Sequence, residues 1–396
     1  MSEHRSYVLR NVKDMHFEVC NICNLSCVYC SAHHLTTDKP PFMPSETAQK
    51  YIDLVLGRTC AEMVDLMFYG GEAMLQSVPW FYDVIEYARK RGAEHNETVR
   101  FLMQSNATVL DADRLDLVKR YDIGIGTSLD GPAEINEKTR AETGIVMENI
   151  LKLKEIGCFG GLICTVSDYN YDKIADILRF FEENHIYWVA FNIVYSIGRG
   201  RDLIPMSADK VFSAHKSIYL YMEETRGKKI VEGNMAEKLE RYVHPPSLTD
   251  YRERLMCNNP FCGGGITAIL CDSKGDLYPC GCANMTKQWL LGSIDSLDEQ
   301  VFLNRIFRFH EKNGKYYDQC QSCDASSICN FGCPGFRTID DRTEETECRA
   351  ARMFYSFLQD RDQRIIEEIV QNLRLGKQEH DWRSRHPEVQ TNIEHS

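Results

Sequence analysis

Two clusters of cysteine limit what this chain can fold into more than any other feature. Cys20, Cys23, Cys27 and Cys30 stand together near the start, and Cys257, Cys262, Cys271, Cys280, Cys282, Cys320, Cys323, Cys329, Cys333 and Cys348 crowd the last third. Only Cys60, Cys158 and Cys164 lie between, for 17 in all. An odd number of thiols in a chain this large argues against a disulfide scaffold. The first residues carry no apolar stretch between a basic head and a small-residue cleavage site, so a reducing, cytoplasmic setting is expected. Thiolates at short spacing suit metal ligation, which needs several sulfurs within one small coordination sphere. The charge balance, 46 Lys+Arg against 58 Asp+Glu for a net −12, disfavours a nucleic-acid partner. No run of about 18 apolar residues reads as a membrane span.

Between the clusters, short β-type runs alternate with helical patterns. Strands are expected at His16–Val19, Val64–Tyr69, Arg100–Gln104, Ile123–Ser128, Leu162–Val166 and Val189–Val194, all rich in Val, Ile, Phe and Leu. Helices are expected from a Ser45 cap, with Ala48, Tyr51, Ile52, Val55 and Leu56 on one face, and over Trp80–Arg91, Ala112–Tyr121, Val146–Ile156 and Asp172–Asn184. Six strand–helix alternations imply an α/β fold, a partial (β/α)6 TIM-like barrel, in which the loops after the strands carry the chemistry. The expected division is 1–205 for this barrel, 206–255 for a helical bridge and polar linker capped by Ser207, and 256–350 for a loop-rich, metal-held domain. A C-terminal helix over 351–376, with its pattern starting near Arg349, and a mobile tail over 377–396 complete it.

Cys23-Asn-Leu-Ser-Cys27-Val-Tyr-Cys30 follows the first strand with CxxxCxxC spacing. Three cysteines can hold three irons of a [4Fe–4S] cluster and leave the fourth open to a small molecule. A zinc knuckle completed by Cys20, His33 or His34 is the competing reading. Tyr69-Gly70-Gly71-Glu72 ends the second strand, Ser105-Asn106 the third and Ser128-Leu129-Asp130-Gly131-Pro132 the fourth, with Arg140 soon after. In this order the motifs resemble those of the radical S-adenosylmethionine (SAM) enzymes. The resemblance implies cluster ligation by Cys23, Cys27 and Cys30. It also implies a SAM-binding set of Tyr29, Gly70, Gly71, Glu72, Ser105, Asn106, Ser128, Asp130 and Arg140. Glycines that admit close backbone approach and a carboxylate that suits an ammonium agree with that set.

Near the other end, Cys262 is followed at family-like intervals by Gly275 and Cys280, then by Cys320-x2-Cys323-x5-Cys329-x3-Cys333 and Cys348. This looks like the SPASM extension of radical SAM enzymes, which binds two auxiliary [4Fe–4S] clusters. The resemblance implies Cys257, Cys262, Cys280 and Cys333 for the first and Cys320, Cys323, Cys329 and Cys348 for the second, hence three clusters in all. A pair of zinc-ribbon sites is the alternative. Cys20, Cys60, Cys158, Cys164 and Cys271 have no place in the pattern and are expected to be small buried hydrophobes. Cys282, two residues past a proposed ligand, is the one candidate for a catalytic thiol, with a buried spectator as its other reading.

The resemblance implies reductive cleavage of SAM to a 5′-deoxyadenosyl radical that abstracts hydrogen from a substrate carbon, with the cofactor supplying reactivity and the protein position. SPASM enzymes mostly act on peptides and proteins, so the expected function is a maturase of a ribosomally made precursor peptide that forms an oxidative crosslink, thioether or carbon–carbon. Anaerobic sulfatase maturation is the alternative. Its members place an aspartate base after Tyr-Pro-Cys, whereas Tyr278-Pro279-Cys280 is followed here by Gly281. An iron–sulfur electron carrier is the alternative of another class, and the one-cysteine-short site with Glu72 and Arg140 argues against it. Expected partners are the precursor peptide, an electron donor such as flavodoxin or ferredoxin, and a separate recognition protein if neither barrel nor SPASM region holds the precursor. Residues 207–255 are read as an interdomain spacer rather than as that contact.

Overall fold

The computed structural model describes residues 8–31, 41–245, 262–286, 288–329, 333–335 and 341–380. Strands β1 (Asp14–Cys20), β2 (Met63–Gly70), β3 (Thr98–Gln104), β4 (Gly124–Ser128), β5 (Phe159–Val166) and β6 (Trp188–Ile193) pair in parallel and in sequence order. The helices between them are α1 (Ser45–Val55), α2 (Val78–His95), α3 (Ala112–Tyr121), α4 (Ala133–Thr139), α5 (Thr143–Glu155) and α6 (Ile174–Glu183). The fold is therefore α/β, a parallel sheet of six βα units that stays open among the described residues.

Period-two alternation decides which face of each strand meets the helices. Phe17 and Phe68 pack ring to ring at 5.6 Å and touch Tyr51 of α1 and Phe81 of α2 at 4.8 and 5.4 Å. Leu162, Cys164 and Val166 do the same for a second core with Ile174, Ile177 and Phe181 of α6. The opposite face is more polar than uniformly apolar runs would give: Tyr69, Gln104, Ser128 and Thr165 look into a cavity.

The structure departs from the sequence reading in five places. Ser45 is the first residue of α1 rather than its cap; Pro44 precedes it with φ −64° and no side-chain cap bond. The 206–255 span is more than a linker. After α7 (Ala208–Thr225), whose Ser207 does cap it, Val231–Glu232 pairs with β6 as a seventh parallel strand, β7, and leads into α8 (Gly233–Val243). The loop-rich stretch holds a 23-residue helix, Glu299–Gln321, and three strands. Of these, β8 (Ala268–Cys271) runs parallel to β1, and β9 (Asp276–Tyr278) and β10 (Gly292–Ser293) continue antiparallel. The segment is thus an edge of the same sheet, and Ile269, Leu277 and Phe302 belong to the β1–β2 core. The final helix is two, Asp341–Gln359 and Gln363–His380, because Asp362 caps a new start: its Oδ1 accepts from Arg364 N at 3.0 Å and its carbonyl from the Ile365 and Ile366 amides. The expected tail from 377 is accordingly helical to His380, and its remainder lies outside the described residues. Fifth, Cys60 is exposed and accepts a bond from Arg10 Nε at 3.2 Å, whereas Cys20, Cys158, Cys164 and Cys271 are buried as expected.

Glu232 joins β7 to α8 without a hydroxyl or Asx cap. Its fully buried carboxylate accepts from Phe191 N at 2.8 Å and from Asn234 N and Met235 N at 3.3 and 2.5 Å. Burial pushes its pKa from 4.5 up to about 7, against those amide bonds. The native state then holds the proton more tightly than the unfolded chain. The stabilisation is complete below pH 4.5 and fades as pH rises through 7, by about 3 kcal/mol at most. Glu232→Gln should flatten the fall in urea-unfolding stability between pH 5 and 7.5; an identical slope in the variant contradicts this account.

Candidate functional site

At the carboxyl ends of β1 and β2 the ladder runs on past both strands. Gly71 N donates to Cys20 O and Glu72 N to Ile22 O, both at 2.9 Å. That continuation is why glycine is needed: a Cβ at Gly70 would stand 2.1 Å from Cys20 O, and one at Gly71 would stand 1.9 Å from Ile22 O. The pairing carries the start of the cysteine loop beside Glu72. The loop is tied on its far side as well, by Val28 N to Thr139 O at 2.9 Å and Arg199 N to Cys30 O at 3.0 Å. Asn106 Nδ2 reaches Asn24 at 2.9 Å and Cys23 Sγ at 3.8 Å.

These contacts gather Cys23, Cys27, Cys30, Gly70, Gly71, Glu72, Ser105, Asn106, Ser128 and Arg140 around one cavity of about 590 Å³. Burial raises the Cys23 and Cys27 thiols, Cys27 being partly restored by Arg140. Glu72 accepts from Ser105 Oγ at 2.7 Å, Met74 N at 2.8 Å and Asn106 N at 2.6 Å. Burial also raises its carboxyl, against those three bonds. Tyr29 faces the same cavity, and the Arg140 guanidinium lies over its ring at 5.2 Å.

Asp130, expected among the direct SAM contacts, sits beneath the cavity instead. It is fully buried, and its oxygens accept from the Tyr29 hydroxyl, Thr139 Oγ1 at 2.7 Å, Arg140 Nε at 3.0 Å and Thr165 N at 2.8 Å. A short acid on a tight turn is spent on orienting an arginine and a tyrosine, leaving no free oxygen face for a ligand. Buried Arg140 keeps its charge because Asp130 and Tyr29 outweigh the desolvation that pulls its pKa down.

The C-terminal cysteines form the cavity's other side. Cys282 hydrogen-bonds with Cys280 and Cys333, bonds that with burial push its thiol up, and Cys329 does so with Cys348. Cys262 Sγ accepts from Gly264 N at 3.3 Å and packs near Cys280. Cys282, Cys329 and Cys333 line the cavity itself, and Met285 S accepts from Ser31 Oγ at 3.1 Å, joining that side to the cysteine loop. Cys320 and Cys323 stand one turn apart, with Cys323 N on Cys320 O at 3.1 Å. Cys257 lies outside the described residues, as do His33 and His34. Sequence reasoning missed a third wall: His215 on α7, Asn234, Glu237, Lys238 and Arg241 on α8, Tyr195 after β6, and Glu347. Its signal was the 234, 237, 238, 241 spacing, a helical stripe made of polar residues rather than apolar ones.

The chemistry of the donors fits the cofactors that the motifs imply. Three free thiols, a glycine backbone cradle that any Cβ would fill, a buried carboxylate and a charge-held arginine share one cavity. Among the described residues no three Cys, His, Asp or Glu side chains converge as ligands of a single ion. A four-iron cluster takes one thiolate on each iron, so its ligands stand further apart. Fold and site define an α/β protein with a cysteine-lined cofactor cavity at the strand carboxyl ends.

Residues 17–181 match the Radical SAM superfamily. The chain is 22% identical to the "Cysteine-type anaerobic sulfatase-maturating enzyme" of Clostridium perfringens (strain 13 / Type A), over 85% of this chain and 93% of that protein. It is 21% identical to the "Antilisterial bacteriocin subtilosin biosynthesis protein AlbA" of Bacillus subtilis (strain 168), over 80% of this chain and 66% of that one. Among solved structures it resembles "Native anSMEcpe with bound AdoMet" with a TM-score of 0.75 at 19% identity, over 91% of this chain and 99% of the other. Residues 17–181 are thus a radical SAM domain, a kind of domain that works with SAM and a [4Fe–4S] cluster, and the chain around it resembles radical SAM enzymes with a SPASM-type extension. Among the described residues no helix is long and apolar enough to cross a membrane.

Proposed function

We propose that the chain is a radical SAM maturase that oxidises a ribosomally made peptide, forming a thioether or carbon–carbon crosslink. The observation that carries this reading is the single cavity lined both by Cys23, Cys27 and Cys30 and by Cys282, Cys329 and Cys333. Substrate held there would meet the SAM end and the auxiliary end together. Relatives named for sulfatase maturation and for bacteriocin biosynthesis support a protein or peptide substrate.

In this reading Cys23, Cys27 and Cys30 hold the SAM-binding cluster, and Gly70, Gly71, Glu72, Ser105, Asn106, Ser128, Tyr29 and Arg140 hold SAM. When bound, these cofactors supply a carbon-centred radical able to abstract hydrogen from an unactivated carbon. The chain's own residues orient and enclose: Arg140, fixed by Asp130, offers a cation to the SAM carboxylate, and the Gly70–Gly71 backbone closes the floor. Two auxiliary clusters belong to the same reading, one on Cys257, Cys262, Cys280 and Cys333, the other on Cys320, Cys323, Cys329 and Cys348. Cys282, bonded to two of those sulfurs, is assigned the catalytic thiol on the auxiliary side. The division into barrel, bridge and SPASM domain, and a flavodoxin- or ferredoxin-type donor, complete the proposal.

A crosslink removes two hydrogens from the peptide, one as an atom to the radical and one as a proton plus an electron passed to an auxiliary cluster. Incubating the reconstituted enzyme, SAM and reductant with peptides encoded beside its gene should give a product two hydrogens lighter with linked fragments in tandem mass spectra. Cys320→Ala and Cys348→Ala should retain SAM cleavage and lose that product; full product yield in both overturns the auxiliary assignment. Sulfatase maturation is the second reading, favoured by the relatives named for it. A hydrazide-reactive aldehyde in the product decides for it. Gly281 weighs against it, since glycine offers no carboxylate after Tyr278-Pro279-Cys280.

A further inference from the structure

The third wall of the cavity carries cationic and imidazole groups that SAM chemistry does not use. Each carboxylate near them already has partners. Glu232 caps α8 through two amides and accepts a third from Phe191 of β6, Glu237 pairs with Arg241 at 3.6 Å, and Glu347 accepts from the Tyr195 hydroxyl. Arg241 is further committed to Ser327 O at 3.1 Å. Lys238 differs. Among the described residues its ammonium donates only to Ile328 O, at a long 3.5 Å, so most of its donor capacity is open to the cavity it lines.

His215 faces the same space from α7, with its ring 5.6 Å from Phe354. Its Nδ1 is inaccessible and has no partner among the described residues. Burial first, and the nearby Lys238 charge second, press its pKa down to about 3, so the ring is neutral and adds no second cation to the wall. Desolvation, then nearby Arg241, lowers the Lys238 pKa against Cys329, Glu347 and Glu232; a carboxylate brought to its open donors would hold the ammonium charged, which makes the wall a receptor for an anion.

We propose that the α7–α8 wall is a carboxylate-binding subsite for the peptide substrate, in which Lys238 receives an acidic side chain or the terminal carboxylate beside the neutral His215 ring. This rests on the peptide-substrate reading above. The acidic group would anchor the peptide on one wall while the residue to be oxidised lies toward Cys23, Cys27 and Cys30. A net charge of −12 makes such a site selective, because elsewhere the surface repels acidic peptides.

The test uses the reconstituted, SAM-loaded full chain and two synthetic random dodecapeptide mixtures, one with free carboxyl termini and one amidated. Retained peptides are sequenced by mass spectrometry. Asp or Glu at a fixed position in both mixtures identifies an acidic side chain as the occupant; retention from the free-terminus mixture alone identifies the terminal carboxylate. For the best retained peptide, neutralising that carboxylate as an amide should weaken binding about tenfold or more, as should Lys238→Met. The two changes together should cost little more than either alone, and Lys238→Arg should restore binding. Retention without acidic preference, or equal affinity for the neutralised peptide, overturns the subsite. Deoxyadenosine formation by the wild type is read separately: its absence with acidic peptides still retained would strike the maturase reading and leave the subsite standing.

Discussion

Asp130→Ala is expected to cost about 3–5 kcal/mol of stability and to abolish detectable SAM cleavage. Removing this carboxylate leaves the Arg140 guanidinium buried without its counter-charge, and strands the Tyr29 hydroxyl, Thr139 Oγ1 and Thr165 N at once. The thermal midpoint should fall by roughly 5 °C, since about 1 kcal/mol corresponds to little more than one degree in a chain this long. Asp130→Asn separates shape from charge: its carbonyl can still accept from Thr139 or Thr165, but it offers Arg140 no anion. It should keep part of the stability and little of the activity. Wild-type midpoint and SAM turnover in both variants would show that Asp130 does not hold the arginine in place.

Gly71→Ala is expected to separate the cysteine loop from the Glu72 turn. The new methyl would stand 1.9 Å from Ile22 O, a backbone atom that cannot swing aside as a side-chain tip would. The variant should lose most of its deoxyadenosine formation and the share of its iron held by Cys23, Cys27 and Cys30. Gly144→Ala is the matched control. Its Cβ meets nothing within 4 Å on α5, so activity should be unchanged and stability equal or slightly higher. Equal iron and activity in Gly71→Ala and wild type would contradict the backbone pairing described here.

Much of this was legible in the residues because local rules and tertiary structure agreed. Each expected barrel strand lies within three residues of its observed bounds, and α3 matches at both ends. The α1 face of Ala48, Tyr51, Ile52, Val55 and Leu56 is buried throughout. The cluster- and SAM-binding residues expected of the barrel, Asp130 aside, do meet at one cavity, since parallel strands bring the loops after them to one end; of the C-terminal cysteines only Cys282, Cys329 and Cys333 reach it. Three things were hidden. Val231–Glu232 is too short to read as a strand, yet it seats α8 against the sheet. The β8–β10 edge depends on pairing across some 250 residues of sequence, which no local pattern reports. The role of Asp130 depends on what lies above it, and a turn motif shows only that an acid is present.

The claim on which the rest depends is that Cys23, Cys27 and Cys30 equip this cavity to cleave SAM. Reductive SAM cleavage by the anaerobically reconstituted protein, read as 5′-deoxyadenosine, tests it against a triple Cys23→Ala, Cys27→Ala, Cys30→Ala variant. The account predicts deoxyadenosine from the wild type and none from the variant, with iron near 12 per chain in the first, as three four-iron clusters require, and about four fewer in the second. Equal deoxyadenosine from both proteins, or a wild type that takes up zinc instead of iron, would contradict it.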